Sequence, residues 1–151
     1  DVPMSLTTLH ADLLAQSGAG EILLLARIVF GGTLAFMGLN HFMDLETMTG
    51  YAEFKGLPAP RFSVVASGVM LVLGGLGIVA GVYPVVAAGA LAVFLLVSAV
   101  TMHDFWSVDD PEEKQNEMTS FLKNVYGAGA ALALLAVGGT AWPYAVGLGL
   151  F

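Results

Sequence analysis

The apolar positions of this chain fall into four long blocks, at residues 22–42, 63–82, 85–102 and 121–142, separated by more polar stretches. Each block is close to the roughly 20 residues that an α-helix needs to cross the hydrocarbon of a bilayer. The pattern predicts an all-α fold, an integral membrane four-helix bundle occupying residues 21–151. Ahead of it, Leu6, Leu9, Leu13 and Leu14 recur at helical spacing beside Thr7, Asp12 and Gln16, with Ser5 as the N-cap. That spacing predicts a short N-terminal interfacial helix within residues 1–20, lying on the membrane surface and broken by Gly18 and Gly20. A signal peptide fits this stretch poorly, because it lacks a positive n-region; trimming to Asp1 is left open.

The connections carry their own signals. After the first block, Asp44 is placed to cap a short amphipathic helix with Leu45, Met48, Tyr51 and Phe54 on one side. Gly56 ends that helix, and Pro58 and Pro60 stiffen its exit. Tyr83-Pro84 makes a tight turn between the second and third blocks, since proline cannot continue the preceding helix. Asp109-Asp110-Pro111-Glu112-Glu113 is a strong helix start, with a cap, a proline in the first turn and acids at the positive dipole end. This helix is expected to run unbroken from Pro111 into the fourth block. Within the blocks, Gly77/Gly81, Ala88/Ala92 and Gly127/Ala131 form small-xxx-small pairs, which let helix backbones approach closely in lipid.

Composition agrees with the pattern. The 151 residues are 57% hydrophobic and 11% charged, with a mean hydropathy of +0.82. A soluble domain carries about 25% charged residues, so lipid must cover part of this surface. There is no cysteine, which removes disulfides and thiolate metal or redox sites. The net charge of −7, with five basic residues in all, argues against nucleic acid as a partner.

Charge also orients the chain. Both long polar segments, 43–62 and 103–120, must lie on one side, because two spans separate them. Lys55, Arg61, Lys114 and Lys123 lie in or beside them, so the positive-inside rule predicts a multi-pass protein of the plasma membrane with both loops cytoplasmic. The acids cluster there too: Asp44, Glu46, Glu53, Asp104, Asp109, Asp110, Glu112, Glu113 and Glu117 are nine of the twelve. Such acid-rich, lysine-poor loops are expected of a halophile's protein.

Few polar groups lie in or beside the spans. Arg27 is the unambiguous charge within one, and no acid lies in any span to pair with it. It either serves a site, as buried charges in membranes commonly do, or snorkels to the headgroups. At the other end of the first block sit Asn40 and His41. The third block ends on that side with His103, Asp104 and Trp106, and the fourth begins there with Lys123 and Asn124. Together these residues would make a polar, His-containing rim suited to a quinone head group, with donors for its carbonyls and imidazole to exchange protons. Alternatively they are ordinary interfacial residues. A haem on His41 and His103 is the weaker possibility, and no spacing supports a metal site.

Several of these residues together resemble the DoxX family. They are Gly38-Leu39, Phe54-Lys55-Gly56-Leu57-Pro58-Ala59-Pro60, Gly74-Gly75, His103-Asp104-Phe105-Trp106 and Phe121-Leu122-Lys123-Asn124, in that order, with Arg27 where the family usually has an arginine. The resemblance runs from Glu21 to Gly139. It implies a four-helix membrane bundle serving as an oxidoreductase subunit, associated with quinol oxidase, thiosulfate:quinone oxidoreductase or redox-stress assemblies. Many relatives carry a glutamate in mid-span two, where this chain has Met70, which removes a possible partner for Arg27. The leading expectation is a small subunit of a quinone-linked redox complex, with no covalently bound cofactor and with lipids and other membrane subunits as partners. The alternative is a non-catalytic scaffold or accessory subunit. A transporter is disfavoured, since no broken helix or inverted repeat is evident.

Overall fold

The structure is a computed structural model that describes Ser5, Leu14 and residues 16–149. The predicted interfacial helix falls largely on residues 6–13, outside the described residues. The described chain forms α1 (Ala19–Met43), α2 (Leu45–Phe54), α3 (Pro60–Ala80), α4 (Pro84–Met102), a 3-10 turn (Phe105–Ser107) and α5 (Pro111–Val137). Helices α1, α3, α4 and α5 are each long and apolar enough to cross a membrane. Large apolar residues such as Ile22, Phe36, Leu73 and Val93 point outward, where lipid rather than water suits them. The chain is a multi-pass membrane protein.

Glycine and proline set the helix ends. Gly56 and Gly81 adopt positive φ (75° and 70°). Behind them, Leu57 N–H reaches the Ala52 carbonyl at 3.0 Å and Val82 N–H reaches the Gly77 carbonyl at 2.9 Å. These are Schellman closures, and they explain why α3 stops two residues short of the apolar block. Pro60, Pro84 and Pro111 each open a helix. At α5 the Asp110 carboxylate accepts from Glu113 N–H at 2.9 Å, the predicted cap. Asp44 takes the N-cap position of α2 but makes no side-chain cap bond. Helix α5 ends at Val137, before residue 142, because the Val137 carbonyl accepts from Thr140 Oγ1 (2.7 Å) and Trp142 Nε1 (2.9 Å) as the chain turns away.

Two helix pairs make up the bundle. Helix α1 packs along α3, α5 packs along α4, and α3 against α4 joins the pairs. The α1–α3 seam depends on glycines one heptad apart. A Cβ on Gly31 would collide with the Gly75 carbonyl oxygen, and one on Gly38 would sit 2.7 Å from the Gly68 carbonyl oxygen. Lipid offers no hydrophobic drive between helices, so backbone proximity supplies the contact. The α4–α5 seam uses Ala88, Ala92, Ala128 and Ala131, all buried, around Leu91 and Leu95. Of the predicted pairs, Gly77/Gly81 has another role: Gly81 is the α3 terminus, where a Cβ would strike Ala145 of the C-terminal tail.

That tail closes one end of the bundle. Val146 and Gly147 N–H donate to the Ala80 and Gly81 carbonyls (2.8 and 3.2 Å), and Tyr83 N–H donates to Leu148 (2.8 Å). Arg27 is the lock. Fully buried, it donates from Nε to Ile78 O (3.1 Å), from Nη1 to Pro143 O (2.7 Å), and from Nη2 to Val79 O (2.7 Å) and Tyr144 O (3.1 Å). Its guanidinium also lies 5.2 Å from the Trp142 ring centroid. The snorkelling alternative is therefore not realised. Arg27 satisfies the orphan carbonyls that end α3 and pins the returning tail to them.

Candidate functional site

At the opposite end, where the long loops lie, the helices diverge around a cavity of about 320 Å³. That volume is within the range of small-molecule sites, about 300–1,000 Å³. Its walls are apolar: Met37 from α1, Val64 and Leu71 from α3, Phe94 and Leu95 from α4. Helix α2 crosses the aqueous end, contributing Met48, Tyr51 and Ala52. The inward stripe of α2 is Leu45, Met48, Thr49 and Ala52, whereas Phe54 of the predicted stripe points outward. Thr49 Oγ1 is buried there without a hydrogen-bond partner among the described residues.

Three of the sequence-predicted candidates, His41, His103 and Asn124, line this cavity from α1, the end of α4 and α5. His41 Nδ1 lies 2.9 Å from the Met37 carbonyl. A carbonyl only accepts, so Nδ1 carries the proton and Nε2 remains open. His103 Nδ1 donates to Glu117 Oε2 at 3.0 Å, again leaving Nε2 open. Asn124 makes no side-chain hydrogen bond among the described residues. The hydroxyls of Ser63, Ser67 and Thr101 spend their protons on backbone carbonyls of Pro58, Val64 and Val97. The polar capacity left for a ligand therefore rests on His41, His103, Asn124 and Ser98, in an otherwise apolar chamber.

The other candidates lie elsewhere. Asp104 is 2.5 Å from Lys55 Nζ, in an ion pair at the loop surface. Trp106 stacks edge-on with Phe105 and Phe121 (centroids at 5.3 and 5.8 Å), outside the cavity. Asn40 is half-buried and does not line the cavity. Lys123 faces an outer groove between α1 and α5. Arg27 sits fourteen residues before His41 on one helix, roughly 20 Å away along the axis.

Two residues the sequence reading passed over organise the site. Glu117 bridges His103 and Tyr51, whose hydroxyl donates to Glu117 Oε1 (2.9 Å) and also lies 3.0 Å from the Met102 carbonyl. Burial, with the hydrogen bond to the Glu117 carboxylate, pushes the Tyr51 hydroxyl above its ordinary range, so it stays a donor. With Lys55 paired to Asp104, the Tyr51–Glu117–His103 chain pins α2 over the cavity. A signal was available for Glu117: it shares an α5 stripe with Asn124, Ala128 and Ala131, at spacings that place them on one face. Replacing Glu117 with alanine is expected to speed amide exchange across α2 by about tenfold, equivalent to one charged hydrogen bond lost. Exchange mass spectrometry in detergent checks this, and unchanged α2 protection would count against the clamp.

Comparison with curated proteins and with solved structures finds no match. The sequence model of one family, described as DoxX, matches residues 22–104.

Proposed function

The chain belongs to the DoxX family, and from that premise we propose that it is a small subunit of a quinone-linked membrane redox complex whose quinone head group enters the His41–His103–Asn124 cavity. One observation carries this reading: polar residues from three helices, far apart in sequence, meet with open hydrogen-bonding capacity inside an apolar chamber. A bound quinone would supply two-electron, two-proton carrier chemistry. Asn124 would donate to one carbonyl through its amide N–H. His103 would pass a proton between the cavity and Glu117, since Nδ1 is held by Glu117 and Nε2 is free for a ligand. The apolar walls exclude water. With no cysteine in the chain, the electrons would come from a partner subunit. In this reading the rim faces the cytoplasm at the cell membrane, which the basic residues of the long loops support through the positive-inside rule.

A second reading, the non-catalytic scaffold, draws on another groove between α3 and α4, lined by Gly74, Gly77, Ala80, Ala87 and Ala90. Small residues of this kind accept a partner helix. The two readings separate on one experiment. His103→Ala is expected to lower quinone-linked electron flux in membranes by about 100-fold, the scale of a lost proton carrier. Flux equal to wild type in His41→Ala and His103→Ala would remove the quinone reading and leave the scaffold.

A further inference from the structure

Met48, Tyr51 and Ala52 of α2 line the loop end of the cavity. Helix α2 lies across that end, held by Tyr51–Glu117–His103 on one side and Lys55–Asp104 on the other. The bundle is not closed toward lipid. Helices α1 and α5, the outer members of the two pairs, do not pack closely on each other. Between them runs a groove of about 720 Å³.

This groove and the cavity share Met37, Leu95, His103 and Asn124 as lining residues, so they are two sides of one thin wall. Small residues hold the groove open. Ala26 and Thr33 of α1 face Gly127 and Ala130 of α5 across it, and a Cβ on Gly127 would come within 3.3 Å of Leu95. Its polarity is graded. Ser120, Lys123 and Asn124 gather at the rim, and Lys123 makes no ion pair among the described residues. From Lys123 to Ala130 the groove descends about 10 Å toward mid-membrane, its walls apolar apart from the hydroxyls of Tyr126 and Thr33. A channel that is polar at the interface, mostly apolar below and contiguous with a head-group chamber has the form of an amphiphile with a long tail.

Resting on the quinone reading, we infer that the α1–α5 groove is the lateral portal of the cavity. The quinone arrives from the bilayer, its ring passes between Met37 and Asn124, and its isoprenoid tail stays in the groove. The portal explains why α2 can remain pinned. A ligand drawn from lipid never has to lift it.

The test uses the full chain in nanodiscs, with a tail-less benzoquinone and a long-chain ubiquinone as probes. Ala130→Phe and Thr33→Phe fill the groove from opposite walls, and Leu132→Phe on the outward face of α5 is the control. Binding of the tail-less quinone is read by calorimetry, and retained ubiquinone is read by extraction and chromatography. Thr33 and Ala130 line the groove but not the cavity, a turn or more deeper than Met37 and Asn124, where the ring passes. The groove variants are therefore expected to bind the tail-less quinone as wild type does. They should retain about tenfold less ubiquinone, equivalent to losing the burial of about two methylene groups. The control should match wild type for both. Equal ubiquinone retention in the groove variants and wild type overturns the portal while leaving the cavity reading intact. If wild type binds neither probe, the cavity reading fails and the portal falls with it. Should Ala130→Phe lose both probes, Thr33→Phe decides, and loss of both probes there as well also overturns the portal.

Discussion

Arg27→Met is expected to destabilise the protein by about 3–5 kcal/mol, because four carbonyls lose a charged donor and each orphaned buried acceptor costs about 1–3 kcal/mol, with incomplete additivity. Ile78 and Val79 belong to the last turn of α3, whose carbonyls have no intrahelical partners. Pro143 and Tyr144 belong to the tail, which has no helix of its own to satisfy it. The loss should be local first, with exchange protection falling at residues 80–84 and 143–149 before the rest of the bundle. Arg27→Lys should rescue little, since a single ammonium cannot match a planar fork that reaches four acceptors. Thermal and denaturant unfolding in detergent would measure the effect. A methionine variant as stable as wild type would mean that Arg27 is kept for a ligand instead.

Neighbouring glycines on α1 are expected to answer a methyl group in opposite ways. Gly31→Ala should cost about 1–3 kcal/mol, the range for forcing extra volume into a packed seam. The new methyl would overlap the Gly75 carbonyl oxygen and press on Ile78 and Val79, and backbone cannot move aside cheaply. Gly32→Ala adds its methyl where nothing lies within 4 Å. It should be neutral or stabilising by up to about 1 kcal/mol, the helix-propensity difference between glycine and alanine. Equal effects at the two positions would show that the α1–α3 seam is not in register at Gly31 and Gly75.

The glycines illustrate where sequence reasoning stopped. Gly31, Gly38, Gly68 and Gly75 are all visible in the chain. Which glycine meets which backbone depends on the rotation and crossing of two helices, and an apolar block carries little one-sided pattern to reveal it. The GxxxG pair at Gly77 and Gly81 looked like a helix seam, yet the backbone there needed a positive-φ terminus. Arg27 shows the same limit more sharply. The absence of an acid from every span points to a ligand or the headgroups, whereas its partners are backbone carbonyls, which every residue possesses and no sequence marks. The polar rim was partly legible: counting crossings put His41, His103 and Asn124 at one end, and they line one cavity. Asp104 and Trp106, drawn from the same short motif as His103, went instead to an ion pair and an aromatic cluster, because the 3-10 turn swings them away from it.

What the chain by itself determined is therefore local and one-dimensional. Four spans, their connecting turns and the Asp110-Pro111 start of α5 follow from hydropathy, proline and capping, each of which acts within a few residues. The tertiary structure alone decided which small residues form seams, which acceptors hold Arg27, that Glu117 ties α2 to His103, and that α1 and α5 stand apart. Those outcomes depend on distances between segments brought together from opposite ends of the chain. In lipid, where apolar surface is nearly uniform in energy, it is backbone proximity and buried hydrogen bonds that settle them.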